Sequence, residues 1–199
     1  MNPNLEEEFV FGKGWSYGNE IFLEKREGKF TGWISYTLSW TYRKFEKINS
    51  GEKFFPKYDQ RNNVSVVASY ALNKRLTLSA TWVYGDGNAF SLPTGYSYFN
   101  NLDGSRPVLI PYYDKRNDLR MPPYHRMDIA AVWKFNPKWG KSDLTFSVYN
   151  LYNRRNPFSI YIETDTNEDP GQLRLLTGAS VMQISLFPII PSVTYNFKF

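Results

Sequence analysis

Apolar and polar residues alternate with period two along much of this chain, most plainly at its end. In Pro191-Ser192-Val193-Thr194-Tyr195-Asn196-Phe197-Lys198-Phe199, Val193, Tyr195, Phe197 and Phe199 fall on one side of an extended strand. Ser192, Thr194, Asn196 and Lys198 fall on the other. A strand facing lipid on one side and a watery lumen on the other is written in this way. The same pattern recurs upstream. Residues 15–26 set Trp15, Tyr17, Ile21 and Leu23 against Ser16, Gly18, Glu20 and Glu24, with Phe22 an exception. Residues 30–43 alternate Phe30, Ile34, Tyr36, Leu38, Trp40 and Tyr42 with Thr31, Trp33, Ser35, Thr37, Ser39, Thr41 and Arg43. That run exceeds the roughly five or six residues of an ordinary globular strand. It suits the roughly nine to eleven residues of a tilted membrane strand with projecting ends.

Further strands are predicted at 63–72, 75–84, 126–135 and 143–153, with the last at 191–199. Two arms, 158–163 and 173–187, flank an acidic tip in a final loop region. Short turn signals at Glu27-Gly28-Lys29, Asn73-Lys74 and 136–142 alternate with long segments at 48–61, 85–123 and 154–190. The segment 85–123 carries Pro93, Pro107, Pro111, Pro122 and Pro123 and is predicted to be irregular. No segment shows a sustained helical period. The expected fold is all-β: about eight antiparallel strands of a transmembrane β-barrel. The expected division is an N-terminal loop or tail over 1–14 and a barrel segment over 15–199, with extracellular loops at about 85–123 and 154–190.

Composition sharpens this. Aromatics make up 18% of the 199 residues, with 15 Tyr, 15 Phe and 6 Trp, yet the mean hydropathy is −0.50. Many rings in a polar average suit an apolar outer band, aromatic girdles and a polar interior. A soluble, aromatic-rich sandwich or lipocalin-like barrel is the alternative. Trp15, Trp40, Tyr42, Trp82, Tyr84 and Trp133 are predicted girdle residues. The absence of cysteine removes disulfides and thiolate chemistry. The net charge of +5 is spread over 24 Lys and Arg among 19 acids, without the coherent basic face that nucleic-acid binding needs. No apolar run reaches the length of a spanning helix. The start, Met1-Asn2-Pro3-Asn4-Leu5 and three glutamates, does not read as a signal peptide. An exported barrel protein with that start is expected to be a fragment or to lack its leader.

Candidate chemistry is sparse. His125 is the single histidine, so any His-based catalysis must use it; no partner motif is evident, and no enzyme activity is expected. Gly85-Asp86-Gly87-Asn88 lacks the spacing of a phosphate loop and reads as a strand-end turn. Glu163, Asp165, Asn167, Glu168 and Asp169 offer oxygen ligands without EF-hand spacing, so a solvated loop tip is expected and no metal or cofactor is assigned. Tyr112, Tyr113, Lys115, Arg116 and Arg120 are candidate loop contacts for a ligand or for anionic lipopolysaccharide.

Four segments together resemble TonB-dependent outer-membrane receptors, particularly those of the Bacteroidetes type. Met121-Pro122-Pro123-Tyr124-His125-Arg126-Met127-Asp128 resembles the start of a late barrel strand in that family. Ser147-Val148-Tyr149-Asn150-Leu151-Tyr152-Asn153 is similar to its penultimate-strand signature. Phe187-Pro188-Ile189-Ile190-Pro191 and the strand after it resemble its C-terminus, and Tyr17-Gly18-Asn19-Glu20 an earlier strand start that usually carries an apolar residue at Asn19. The resemblance implies a bacterial outer-membrane location and the last third of a 22-stranded nutrient-uptake barrel. The implied partners are outer-membrane lipid, the remainder of the barrel or another subunit, the barrel-assembly machinery, and TonB only through N-terminal parts not found here. It also implies that Val193, Tyr195, Phe197 and Phe199 form the assembly signal.

Closure as eight strands would leave an interior just filled by side chains. The predicted inward set is small instead: Thr31, Ser35, Thr37, Ser39, Thr41, Ser65, Ser69, Thr77, Ser79, Thr81, Thr145 and Ser147. That favours the wall of a wider lumen over the alternative, a self-contained small barrel acting as a scaffold or interaction module. Deleting Phe199 is expected to impair assembly in the outer membrane; unchanged surface levels of the deletion variant, read by surface labelling, would refute the assembly role.

Overall fold

Alternating sequence builds alternating structure only if neighbouring strands keep the same parity, and here they do. The computed structural model describes residues 9–99, 108–135, 140–166 and 176–198. Its strands are β1 (Gly12–Lys25), β2 (Phe30–Phe45), β3 (Asn62–Ala71), β4 (Leu76–Gly85), β5 (Ala89–Phe90), β6 (Gly95–Phe99) and β7 (Val108–Tyr112). There follow β8 (Leu119–Arg120), β9 (Tyr124–Phe135), β10 (Lys141–Tyr149), β11 (Pro157–Thr166), β12 (Leu176–Ser185) and β13 (Ile190–Lys198). Seven of them form one sheet in the order β1-β2-β3-β4-β9-β10-β13. Every neighbouring pair in it is antiparallel.

The register carries one face across six of these strands. Phe30, Tyr70, Leu78, Ala131, Phe146 and Val193 lie opposite one another in sequence across β2, β3, β4, β9, β10 and β13. One residue along, Thr31, Ser69, Ser79, Ala130, Ser147 and Ser192 do the same and point the other way. An apolar row and a hydroxyl row thus lie back to back. The polar face ties its own strands together: Ser147 and Ser192 hydroxyls are 2.7 Å apart, those of Ser16 and Thr41 2.9 Å, and Asn196 Nδ2 donates to Asp143 Oδ1 at 2.8 Å. Phe22 breaks the pattern and points to the polar face, where its ring sits 5.8 Å from that of Trp33.

The ends of the sheet differ. Residues 26–29, 72–75 and 136–140 connect strands at one end; residues 46–61, 86–123 and 150–189 connect them at the other. On the apolar face, Trp15, Tyr17, Trp40, Tyr42, Trp82 and Tyr84 lie towards the long-loop end, with Tyr17 and Trp40 stacked at 5.4 Å. Phe30, Tyr70, Trp133, Phe135, Tyr195 and Phe197 lie towards the short-turn end. Of the predicted girdle residues, Trp133 therefore belongs to the opposite row from the other five.

No second layer covers either face of the sheet among the described residues. Among the described residues the buried apolar side chains are Phe54, between β2 and β3, and Ala89, in the short β5, while Ile21, Leu23, Ile34, Leu78, Phe146 and Val193 are exposed. The deeply buried polar groups, Asp59, Asn150 and Asn156, also lie in the loop layer, and Ser142 lies at the start of β10.

Several predicted boundaries shift. β1 begins at Gly12, inside the segment expected to be a tail. β10 stops at Tyr149 rather than running to Asn153, because Asn150 and Asn153 both adopt left-handed backbone (φ 53° and 52°). The stretch 85–123, expected to be irregular, holds two small pairings, β5 with β8 and β6 with β7. The arms of the last loop do pair, as β11 with β12, apart from the main sheet. Among the described residues the main sheet has seven strands, with β1 and β13 at its edges.

The turn after β10 is built by asparagines at three-residue spacing. Asn150 Nδ2 donates to the carbonyls of Arg154 (3.0 Å) and Phe187 (3.1 Å), and its Oδ1 accepts from Arg154 N (3.0 Å). Asn153 Oδ1 accepts from Ile189 N at 3.0 Å, and Asn156 brackets the His125 backbone, accepting from its N (3.1 Å) and donating to its carbonyl (2.9 Å). The backbone N–H of Asn150 donates to Asp128 Oδ1 at 2.8 Å, so the two sequence segments around Asp128 and Asn150 meet. Replacing Asn150 by Ala removes three hydrogen bonds from partly buried backbone groups and puts a residue less tolerant than asparagine in left-handed backbone. The expected loss is about 3 kcal/mol, against near zero for Leu151→Ala at the neighbouring exposed position. Thermal melts of the two variants in detergent micelles check this; equal melts refute it.

Candidate functional site

The loop layer at the long-loop end is where the described chain gathers its charged and buried groups. Its keystone is Arg120 in β8. The guanidinium ion-pairs with Asp59, whose side chain is wholly buried, and stands 4.8 Å over the Phe55 ring. Arg120 and Asp59 belong to loops far apart in sequence, so this pair clamps 46–61 to 86–123. Asn117 adds a second clamp, its Nδ2 donating to Phe55 O at 2.7 Å, and Arg116 N a third, donating to Asn49 Oδ1 at 2.8 Å.

The base of the long loop is fixed by the segment Gly85-Asp86-Gly87-Asn88. Asp86 accepts from Asn62 N (3.0 Å), Asn62 Nδ2 (2.8 Å) and Tyr84 OH (3.0 Å). A Cβ on Gly87 would stand 1.7 Å from the Met121 carbonyl oxygen, so only glycine lets the two loop stems cross there. The segment is architectural, as its sequence suggested.

Between the clamped loops lies a cleft of about 600 Å³. Lys57 and Asn49 come from the first loop, Phe90 from β5, and Tyr113, Lys115 and Arg116 from the turn after β7. Three of the five predicted ligand contacts, Tyr113, Lys115 and Arg116, thus meet in one place. Tyr112 stands in β7 opposite Gly95, outside this lining, and Arg120 is committed to Asp59. Lys57 and Asn49 had escaped sequence reading, because no local pattern tells which distant loops will touch. The Asn49-Ser50-Gly51 turn was the available signal.

A second polar cluster occupies the polar face below. Arg126 donates to Tyr124 OH (2.9 Å), Tyr149 OH (2.8 Å) and Asp128 Oδ2 (3.0 Å), and stacks 4.2 Å over the Tyr149 ring. Every arm of the guanidinium is engaged, which makes it a strut between β9 and β10. His125, on the opposite face, has its Nδ1 2.8 Å from Tyr152 OH. No carboxylate or serine is hydrogen-bonded to its ring among the described residues, so the geometry is that of an anchored side chain. Glu163 and Asp165 lie in β11, whereas Asn167, Glu168 and Asp169 fall outside the described residues, as does Phe199. Among the described residues no cluster of three or more His, Asp or Glu suits a metal ion. Val193, Tyr195 and Phe197 share the apolar face of β13.

No protein-family model, curated protein or solved structure matches this chain. The clamp makes a direct prediction. Arg120→Met leaves Asp59 buried without its counter-ion, with the Thr41 N–H still bonded to it, and is expected to cost about 3 kcal/mol, opening the first loop to protease; the double variant Arg120→Met with Asp59→Asn, which keeps an acceptor for Thr41 N, should regain much of that loss. Cleavage rates within 46–61 measure it, and a double variant no better than the single one overturns the clamp.

Proposed function

We propose that this chain is a section of outer-membrane barrel wall belonging to a TonB-dependent receptor, with its apolar face in lipid, its polar face lining a lumen and its long loops outside the cell. The supporting observation is the register that lays a largely apolar face, interrupted where Asn19 and Asn62 flank Leu38, between two aromatic rows. From Trp40 to Phe30 along β2 is ten residues, about 33 Å of strand. Tilted by about 40°, that spans about 25 Å, the height of the apolar band of an outer-membrane barrel. No helix among the described residues is long and apolar enough to cross a membrane; a barrel crosses with strands. Its role is that of wall and solute-facing loops rather than of an enzyme.

Strand direction favours a larger barrel over the self-contained one. With seven strands and every neighbour antiparallel, β1 and β13 run the same way. Direct closure would make a parallel seam and an odd count, whereas single-chain bacterial barrels are even and antiparallel. An odd number of further strands between the edges removes the conflict. Those strands would come from the rest of a receptor or from another subunit.

Two neighbouring positions test the membrane reading. Ile34 and Ser35 are adjacent in β2 and point to opposite faces. Arg at Ile34 should cost about 2–4 kcal/mol if that face meets the bilayer midplane, and abolish recovery in the outer-membrane fraction, while Arg at Ser35 should be tolerated. Equal recovery of the two variants sinks the reading.

A further inference from the structure

The cleft between the loops has more positive charge than its surroundings answer. Lys57, Lys115 and Arg116 line it with one carboxylate, Asp114. Among the described residues the ion pairs are Arg26–Glu24, Arg120–Asp59 and Arg126–Asp128, so none of the three cleft cations is neutralised by a carboxylate. Its walls are held before any ligand arrives: Arg116 N is bound to Asn49 Oδ1, and Asn117 N to Ser91 Oγ at 2.7 Å. Beside the charges stand the rings of Phe90 and Tyr113, the latter 54% exposed. Cations on both sides of a preformed cleft, next to open ring faces, suit a compact multivalent oxyanion with an apolar or ring-bearing part.

We propose that this cleft binds phosphate-bearing solutes at the outer mouth of the barrel, with Lys57, Lys115 and Arg116 as the charge-reading residues. The proposal rests on the reading above that the long loops face the outside. A free solute and the phosphates of lipopolysaccharide offer the same chemistry. Arg120 plays no part in contact; it holds the two walls together through Asp59.

The test uses the chain in the detergent-extracted assembly that completes its sheet, with inorganic pyrophosphate and phenyl phosphate as probes and glucose as the neutral control, by calorimetry. Both phosphates should bind and glucose should not. Lys57→Gln, Lys115→Gln and Arg116→Gln should each weaken binding about threefold to tenfold, and raising salt from about 50 to 500 mM should weaken it further. Lys141→Gln, at the far end of the sheet, should change nothing. Circular dichroism and melting of the triple variant establish that it remains folded. Binding to vesicles containing lipid A but to neither soluble phosphate, lost in the triple variant, supports the same site with lipopolysaccharide as the source. No binding of any phosphate probe, or undiminished binding by the folded triple variant, overturns the proposal. Tolerance of Arg at Ile34 would sink the membrane reading and leave anion binding by the cleft to be decided on these measurements alone.

Discussion

Everything in this structure depends on the parity of strand pairing. Side chains alternate with period two, so a slip of one residue between any two strands would exchange an apolar face for a polar one. The chain guards against such a slip with short connections. Between β3 and β4, Asn73 Oδ1 accepts from the N–H groups of Arg75 and Leu76, at 2.8 and 2.9 Å, and sets the turn that brings Tyr70 opposite Leu78. Between β1 and β2, Gly28 supplies a backbone at φ 97° that other residues resist. Where β9 meets β10, seven cross-strand partners continue the same parity from Ser142–Phe135 to Val148–Ile129. The apolar face is thus a product of local turn chemistry as much as of the residues that form it.

Burial in this chain has moved from the sheet to the loops. A soluble sheet would hide its apolar face against a second layer, yet here Ile34, Leu78 and Val193 remain open while Asp59 and Asn150 are enclosed. Loops of this length would be costly to order with apolar contacts alone, because their backbone groups need partners. Asparagine and aspartate supply those partners at Asn117, Asn150, Asn153, Asn156 and Asp86. The result is a stiff polar platform on a sheet that has no core of its own. Stiffness there matters for the cleft, since a ligand site whose walls are already held loses less freedom on binding.

The seven main strands were legible in the sequence because their signal is local: alternation over nine or more residues with turn residues between. The pairing of β11 with β12 was legible because two arms flank an acidic tip. Three things were not. β5 to β8 are short strands in a proline-rich stretch, and each gains its regularity from a partner rather than from its own pattern. The end of β10 was misplaced because Tyr152 resumes the apolar positions of Leu144, Phe146 and Val148, while Asn150 has already turned the backbone. The cleft was half visible: Tyr113, Lys115 and Arg116 are neighbours in sequence, but Lys57 and Asn49 reach them through the clamps that tie the two loops together. Arg120 itself read as a ligand contact, since a free loop cation and one tied to a buried carboxylate read alike until the partner is known.

The two parts of the proposed function, lipid on the face and further strands at the edges, are not separable. β1 presents fourteen residues on an edge with no second neighbour among the described strands. About half of its backbone N–H and C=O groups point away from β2. In water they bond to solvent at little cost. In hydrocarbon each lacks a partner at several kcal/mol, so the edge as a whole would cost tens of kcal/mol. Lipid contact along the apolar face cannot offset a loss that large while the edge stays open. If the face meets lipid, β1 and β13 must be paired; and since they run parallel, they are better paired to intervening strands than to each other.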